Sequence, residues 1–169
     1  MDIRTVVVLF HAGRLLLLRR SPSKRFAPNR WTGLGGKVEP GEIGDLLSAA
    51  RREVLEETDL APEEIEELRV RRYLLFAHPA EGIVCLVYLT GQTRTGRTPA
   101  TTEGVLRWVH PDELPTLDLI ENTGRVLPLL IEDVRSASPV VRCGIASYDA
   151  SGRLVTIVFE DAIPHLDTP

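Results

Sequence analysis

The stretch that decides the interpretation of this chain is Gly-Gly-Lys-Val-Glu-Pro-Gly-Glu at residues 35–42, followed by Arg-Glu-Val-Leu-Glu-Glu at residues 52–57. An α-helix advances 3.6 residues per turn, so Glu53, Glu56 and Glu57 fall at positions i, i+3 and i+4 and share one face. Like charges at this spacing repel one another and destabilise an isolated helix. Hard divalent cations prefer oxygen ligands, and Mg2+ commonly takes a few carboxylates together with substrate phosphates. The spacing therefore favours a cation site on this face.

The residues around these glutamates predict a helix over residues 45–58, with Asp45 as its N-cap. Leu47, Ala50 and Val54 form an apolar stripe on the opposite side. We expect this stripe to anchor the helix to a sheet, so that the acidic face is held rigidly.

Two features flank the acidic face. The glycines of residues 33–36 permit tight turns and close backbone approach, so a backbone carbonyl in this loop can be a further ligand. Arg52 lies four residues before Glu56 and can brace the carboxylates. The competing interpretation is a solvated acidic helix face, because surface charges rarely do more than solvate. Residues 33–36 are no dinucleotide-binding fingerprint, since the third glycine is missing at its required offset.

The two segments, in this order, resemble the sequence motif of the Nudix hydrolases. That motif runs Gly, five residues, Glu, seven residues, Arg-Glu, an aliphatic residue, any residue, Glu-Glu, any residue, Gly and an aliphatic residue. The matching positions here are Gly36, Glu42, Arg52, Glu53, Val54, Glu56, Glu57 and Leu60. The chain departs from the motif because residues 43–51 number nine instead of seven and because Asp59 replaces the last glycine. The first departure leaves the placement of Glu42 open, and the second is mild because Asp tolerates left-handed geometry at a helix C-terminus.

The resemblance implies an α/β fold, namely an α/β/α sandwich with a mixed, partly closed β-sheet. It implies hydrolysis of a diphosphate linkage in a nucleotide-like substrate, with Arg52 and the three helix glutamates as the catalytic set. It also implies Mg2+ as cofactor, with Mn2+ able to substitute, because both ions suit oxygen sites. The implied ligands are the carbonyl of Gly35 and the carboxylates of Glu53, Glu56, Glu57 and Glu103. One of the helix glutamates or Glu103 would take the proton of the attacking water, and the sequence leaves open which.

Outside the motif, the chain resembles the Nudix branch that includes the oxidised-purine nucleoside triphosphatases. The likeness rests on residues 30–37, on Trp108 with residues 111–115, on residues 128–130 and on the final hairpin. Base recognition departs from that branch in two places, because Thr32 stands where those enzymes carry Asn and Asn122-Thr123 stands where they carry an acidic pair. A relaxed alignment could use Asp118 or Glu121 as the acid instead. We therefore expect broad base tolerance.

We expect substrate contacts from side chains just ahead of the glycine loop. The basic side chains of residues 19–30 suit phosphate oxygens, because Arg presents a fork of donors; a solvated basic loop is the alternative. Trp31 would stack on a base or, equally, serve as a core anchor. The candidate substrate-binding residues are Arg19, Arg25, Trp31, Thr32, Lys37 and Asn122.

Composition limits the remaining classes. The chain has 169 residues, 43% hydrophobic content and a net charge of −4, which suits one globular domain over residues 1–169 and disfavours a nucleic-acid binder. An acidic protein repels polyphosphate, so a phosphate-handling role requires a divalent cation or local basic groups. The apolar run at residues 5–10 is too short for a signal peptide or a membrane span. We expect a cytoplasmic monomer or homodimer with no membrane partner, in which Cys85 and Cys143 are buried, reduced thiols.

Hydrophobic periodicity predicts the other elements. A hairpin is expected over residues 3–20, strands near 68–77, 82–90 and 104–110, a helix near 121–134, and a closing hairpin over 140–148 and 153–160. Pro128 is expected to delay the start of the second helix or to kink it.

Three functions are compatible with these residues. The first is a diphosphatase acting on nucleoside triphosphates, including 8-oxo-dGTP, and the second is a pyrophosphatase acting on ADP-ribose or a dinucleotide. The third is a catalytically silent nucleotide-binding sensor, which the altered spacing at residues 43–51 favours. The intact set of Arg52, Glu53, Glu56 and Glu57 argues against a sensor, because a sensor is expected to have lost a metal ligand.

Overall fold

A computed structural model describes residues 1–98 and 101–161 of the chain, without the side chain of Asp161. The strands are β1 Asp2–His11, β2 Arg14–Arg20, β3 Trp31–Thr32, β4 Ile65–His78, β5 Gly82–Thr93, β6 Gly104–Val109, β7 Arg142–Tyr148 and β8 Leu154–Asp161. The α-helices are α1 Leu46–Thr58 and α2 Glu121–Arg135, and short 3-10 helices cover Pro40–Glu42, Pro62–Glu64 and Pro111–Thr116. The predicted hairpins, strands and helices are confirmed, with bounds shifted by a few residues.

The strands form one mixed sheet in the order β3-β2-β1-β5-β4-β7-β8, with β6 paired to β2. β1 runs parallel to β5 and β4 runs parallel to β7. The other pairings are antiparallel. This mixed arrangement joins β4 and β7, which are far apart in sequence, into one wall beneath α2.

The core lies in two layers, one on each face of the sheet. Val7 belongs to a buried cluster with Ala50 and Val54 of α1. Its neighbour Val8 belongs to a second cluster with Leu127 of α2. Successive side chains of a strand point to opposite faces, so β1 serves both layers. The predicted α/β/α sandwich with a mixed sheet is confirmed.

Helix α1 begins and ends as the sequence predicts. The side chain of Asp45 accepts the backbone N–H of Ser48 at 3.1 Å, which satisfies a free donor of the first turn. Asp59 adopts the left-handed conformation with φ +54°, so it replaces the motif glycine without losing the turn. The apolar stripe was partly wrong, because Leu47 is 38% exposed and Ala49 is fully buried beside Ala50.

The separation of β1 from β2 makes room for the glycine loop. β1 pairs with β2 only through residues 9–11, near the hairpin turn. Further along, Val7 and Arg4 form isolated bridges with Leu34 and Lys37. Residues 34–37 therefore lie beside β1, where they face the end of α1.

Two other expectations need correction. α2 begins at Glu121 and continues through Pro128, so the proline does not delay the helix. Cys143 is exposed. Cys85 is only half-buried, although it packs against the core cluster that contains Ala50 and Val54. Within the described residues, no helix is long and apolar enough to cross a membrane.

Candidate active site

Arg52 gathers the carboxylates of α1 and its preceding turn. Its Nε and Nη2 donate to the two oxygens of Glu42 at 2.7 and 2.8 Å, while Nη1 donates to Glu53 at 2.8 Å. A longer contact of 3.4 Å reaches Glu56. This forked pair of hydrogen bonds places Glu42 beside Arg52. Ile43 and Gly44 accommodate the longer spacing of the motif before α1 begins. The hydrogen bonds to Arg52 also lower the pKa of Glu42 to about 2.

Glu57 is the buried member of the acidic face. It is 9% exposed, and its Oε2 accepts the backbone N–H of Gly35 at 2.7 Å. Burial raises the pKa of its carboxyl to about 8, and the charges of Glu53 and Glu103 act in the same direction. Arg20 and the Gly35 N–H oppose the shift. A carboxylate held in this way is suited to a cation, which would relieve both the burial penalty and the repulsion.

Glu53 lies directly against the glycine loop. A Cβ added to Gly36 would lie 2.4 Å from Oε2 of Glu53, so this approach requires a residue without a side chain. Burial raises the pKa of Glu53, and the charges of Glu56 and Glu42 contribute to the rise. Glu56 is exposed at the outer side of the same face.

Glu103 comes from the chain segment just before β6. Its carboxylate forms an ion pair with Lys24, and its carbonyl accepts the N–H of Ser21 at 2.8 Å. The negative charge of Glu103 contributes to the raised pKa of Glu57.

The donor set fits a hard cation in its chemistry. All its members are oxygen donors, which is the ligand type that Mg2+ prefers. Three of them crowd one helix face. Across residues 1–98 and 101–161, however, no three His, Cys, Asp or Glu side chains are already gathered round one point. Arg52, the Gly35 N–H and Lys24 each hold part of the set. Binding of a metal ion would require some of these contacts to exchange.

A cleft of about 490 Å3 opens beside Glu57. Its volume is in the usual range for small-molecule sites. Glycine-loop residues and Glu57 line one end, and the side chains of Phe76, Leu86 and Tyr148 line an apolar wall. Glu57 therefore belongs both to the acidic cluster and to the cleft.

Of the candidate substrate contacts, Thr32 and Asn122 line the cleft, whereas Arg19, Arg25, Trp31 and Lys37 are not among its lining residues. Trp31 is 8% exposed and packs in the core, with the guanidinium groups of Arg19 and Arg107 about 6 Å from its ring centre. Arg25 and Lys37 point to solvent.

Two other basic residues line the cleft, Arg20 and Arg30. Arg20 lines it in place of Arg19, because side chains alternate along β2 and Arg19 is turned away.

Several other lining residues belong to no motif that could have predicted their place in the site. Phe76 and His78 end β4, Tyr148 ends β7, and Arg153 precedes β8. Arg4 lines the cleft from β1, where Glu81 pairs with it at 2.7 Å.

The sequence offered Asp118 or Glu121 as an acid for base recognition. Glu121 lines the cleft, whereas Asp118 is exposed and pairs with Arg30.

A Nudix domain model matches residues 1–130, which include the glycine loop, α1 and Glu103. The chain belongs to the Nudix family. It is 28% identical over 129 residues to the oxidized purine nucleoside triphosphate hydrolase of Mus musculus, covering 76% of this chain and 78% of the relative. It is 38% identical over 132 residues to the Danio rerio protein of the same name, covering 78% and 80% respectively.

Solved structures give the same fold. The MutT protein from Bacillus halodurans superposes with a TM-score of 0.75 at 19% identity, covering 95% of this chain and 98% of that one. The family and the hydrolase relatives make this protein a Nudix hydrolase that acts on the diphosphate bond of nucleotide substrates.

Proposed function

We propose that the protein is a Mg2+-dependent nucleoside triphosphate diphosphatase. The observation that carries the proposal is the position of Glu57, the one α1 glutamate among the lining residues of a nucleotide-sized cleft. A substrate in this cleft would place its phosphates between the acidic face and the basic side chains of Arg20 and Arg30. The similarity to oxidized purine nucleoside triphosphate hydrolases supports the choice of triphosphates as the first substrate class.

The residues that would hold Mg2+ are Glu53, Glu56, Glu57, Glu103 and the carbonyl of Gly35, and Mn2+ could substitute. When bound, the metal would polarise the phosphoryl oxygens and lower the pKa of the attacking water. The chain's own residues have separate tasks. Arg52 orients the helix glutamates through its contacts with Glu42 and Glu53.

The proposed reaction is substitution at phosphorus by water. A new bond forms from the water oxygen to phosphorus, and the bridging P–O bond breaks to release a nucleoside monophosphate and diphosphate. The water proton passes to a glutamate of α1 or to Glu103. Arg20 and Arg30 would stabilise charge on the departing oxygens, because guanidinium groups pair well with phosphate.

The test is a product analysis with a panel of substrates. Nucleoside triphosphates, ADP-ribose and diadenosine tetraphosphate are incubated with wild type in Mg2+ and in excess chelator, and products are separated by chromatography. We expect monophosphate and diphosphate from triphosphates in Mg2+ only. Faster turnover of ADP-ribose or the dinucleotide would assign the second substrate class, and tight binding without turnover of any compound would indicate a sensor.

Two variants make the test specific to the site. Glu57→Gln removes the cleft carboxylate, whereas Glu63→Gln changes an exposed glutamate in the 3-10 turn that follows α1. We expect turnover to fall only in the first. Equal activity of both variants would reject the site.

A further inference from the structure

Thr5 carries a buried hydroxyl group without a hydrogen-bond partner. The residue is 2% exposed, and within residues 1–98 and 101–161 its Oγ1 makes no hydrogen bond. Asp2, Tyr88 and Trp108 also contain such an atom, but of these four residues only Thr5 lines the cleft. The unsatisfied hydroxyl therefore belongs to the candidate active site and not to the core alone.

The neighbours of Thr5 on β1 make a polar side chain at this position unexpected. Ile3 and Val7, two residues to either side, pack with the apolar cluster that contains Ala50 and Val54 of α1. Alternation along the strand places Thr5 on the same face of the sheet. Valine has nearly the same shape as threonine, and a buried hydroxyl without a partner costs free energy. The hydroxyl therefore needs an explanation outside the contacts of the folded chain.

The hydroxyl of Thr5 lies against the glycine loop. A Cβ added to Gly35 would lie 2.9 Å from Oγ1 of Thr5, so the hydroxyl faces the backbone of Gly35. The same glycine donates its N–H to Glu57 at 2.7 Å. The backbone N–H of Thr5 donates to the carbonyl of Gly36 at 2.8 Å, which fixes β1 against the loop. Thr5 therefore contacts the residue that joins the glycine loop to the buried carboxylate.

We propose that the Thr5 hydroxyl positions the metal by binding a water molecule of hydrated Mg2+ beside Gly35. This inference rests on the proposed function, in which Glu57 and the Gly35 carbonyl would hold the ion. Mg2+ dehydrates reluctantly and usually keeps several of its water ligands. Such a water donates hydrogen bonds, and a threonine hydroxyl has lone pairs that can accept them. Thr5 is thus a positioning residue that acts through water and is not itself a metal ligand.

A contact of this kind should strengthen metal binding in the substrate-free protein. Groups that hydrogen-bond to the ligands of a metal change its affinity by roughly tenfold or more. A buried water that serves only the fold would leave the metal affinity unchanged, and a hydroxyl that contacts the substrate would change KM alone. The three explanations therefore differ in what they predict for binding of the metal alone.

The experiment measures Mg2+ affinity by thermal shift and Mn2+ affinity by electron paramagnetic resonance, without substrate, in wild type, Thr5→Val, Thr5→Ser and Thr90→Val. Thr90 is a matched control, because it is also 2% exposed but its hydroxyl accepts from Nε of Arg71 at 2.8 Å. Thr5→Val should weaken metal binding by roughly tenfold and keep or raise the melting temperature in chelator. Thr5→Ser keeps the hydroxyl and should retain the metal affinity of wild type. Thr90→Val should lower the melting temperature in chelator and leave the metal affinity unchanged.

Other outcomes would overturn the inference. Unchanged metal affinity in Thr5→Val would show that the hydroxyl does not act on the metal, and a raised KM in the same variant would assign it to the substrate. An equal loss of affinity in Thr5→Val and Thr5→Ser would show that packing at β1 is responsible. In these cases Mg2+-dependent turnover by wild type would leave the proposed function standing. A wild type that binds neither ion and turns over no nucleotide would overturn both.

Discussion

The backbone N–H of Gly35 donates to Oε2 of Glu57 at 2.7 Å, which ties the glycine loop to the end of α1. Gly35 has φ +118°, and a Cβ there would lie 2.5 Å from the carbonyl oxygen of Thr5 on β1. Only glycine fits this position without strain. The sheet, the loop and the helix therefore meet at the buried carboxylate, and this meeting point is where metal and substrate are proposed to bind.

Metal removal should abolish activity. The crowded carboxylates of α1 make the empty site electrostatically unfavourable, so we expect no turnover in excess chelator and full recovery with Mg2+. Mg2+ that binds the native state alone should also raise the melting temperature in proportion to the logarithm of its concentration. Calorimetry with and without Mg2+ measures this shift. Undiminished turnover in chelator would reject metal dependence.

Glu57→Gln should separate activity from stability. The substitution keeps the size of the side chain and removes its charge, so kcat should fall by on the order of 100-fold or more, as when a transition-state electrostatic contact is lost. Stability of the metal-free protein should rise or stay level, because burial and repulsion penalise the carboxylate. Steady-state kinetics and urea unfolding in chelator measure the two effects. Turnover within about twofold of wild type would exclude Glu57 as a key ligand.

The stability effect of Glu57→Gln should depend on pH in the metal-free protein. The folded pKa of Glu57 is raised from 4.5 to about 8. Wild type therefore has its full stability contribution from this group below pH 4.5 and loses it as pH rises toward 8. The stability advantage of Glu57→Gln should grow over the same interval in urea titrations. A constant difference between pH 5 and pH 8 would contradict the raised pKa.

Gly36→Ala should damage the site through Glu53. The new Cβ would lie 2.4 Å from Oε2 of Glu53, so the carboxylate must move away from the loop. We expect kcat/KM to fall by at least about tenfold, since displacement of a catalytic group by about 1 Å can cost 100-fold. Gly41→Ala is the matched control, because nothing lies within 4 Å of its Cβ position. Similar losses in both variants would show a general effect on the loop.

Substitutions at two positions of the predicted apolar stripe, Val54 and Leu47, should differ in their effect on the free energy of unfolding. Val54→Ala removes a fully buried side chain between α1 and the sheet and should cost about 2 kcal/mol, as for other core truncations. Leu47→Ala changes an exposed side chain and should stay within about 0.5 kcal/mol of wild type. Urea unfolding of both variants checks the difference. Comparable losses of stability in the two variants would show that the side chain of Leu47 packs in the core.

The sequence predicted the parts of the site that depend on local spacing. The positions of Glu53, Glu56 and Glu57 follow from the helix period alone, and Asp45 marks where that period begins. Periodicity did not separate Leu47 from Ala49, because both lie near the edge of the apolar stripe. Helix geometry thus placed the acidic face but not every core contact.

The cleft was less predictable, because its walls come from distant strands. Phe76 and Tyr148 meet only through the parallel pairing of β4 with β7, which no local pattern specifies. The choice between Arg19 and Arg20 depends on which face of β2 covers the core, and a continuous apolar run leaves that undetermined. Register and topology, rather than residue type, decide these positions.

Base discrimination at position 8 of guanine should be weak. Thr32 lines the cleft, but its hydroxyl faces that of Thr123 at 3.4 Å, and one hydroxyl cannot supply the paired donor and acceptor of an amide. Asn122 already uses its carbonyl oxygen on the backbone N–H of Thr123. We therefore expect kcat/KM for 8-oxo-dGTP to exceed that for dGTP by less than roughly 100-fold.

Steady-state kinetics on the two nucleotides check this expectation, with Thr32→Asn as the informative variant. Restoring an amide at this position adds the missing donor and acceptor and should increase the ratio for the oxidised base. A wild-type preference in the thousands would show that another group reads the oxidised edge. Glu121 is then the first residue to replace by Gln, because it lines the cleft and uses Oε2 on the backbone of Leu154, which leaves Oε1 as the oxygen to face a base N–H. Loss of the preference in Glu121→Gln, with dGTP turnover retained, would assign the discrimination to that carboxylate and refute the argument from Thr32.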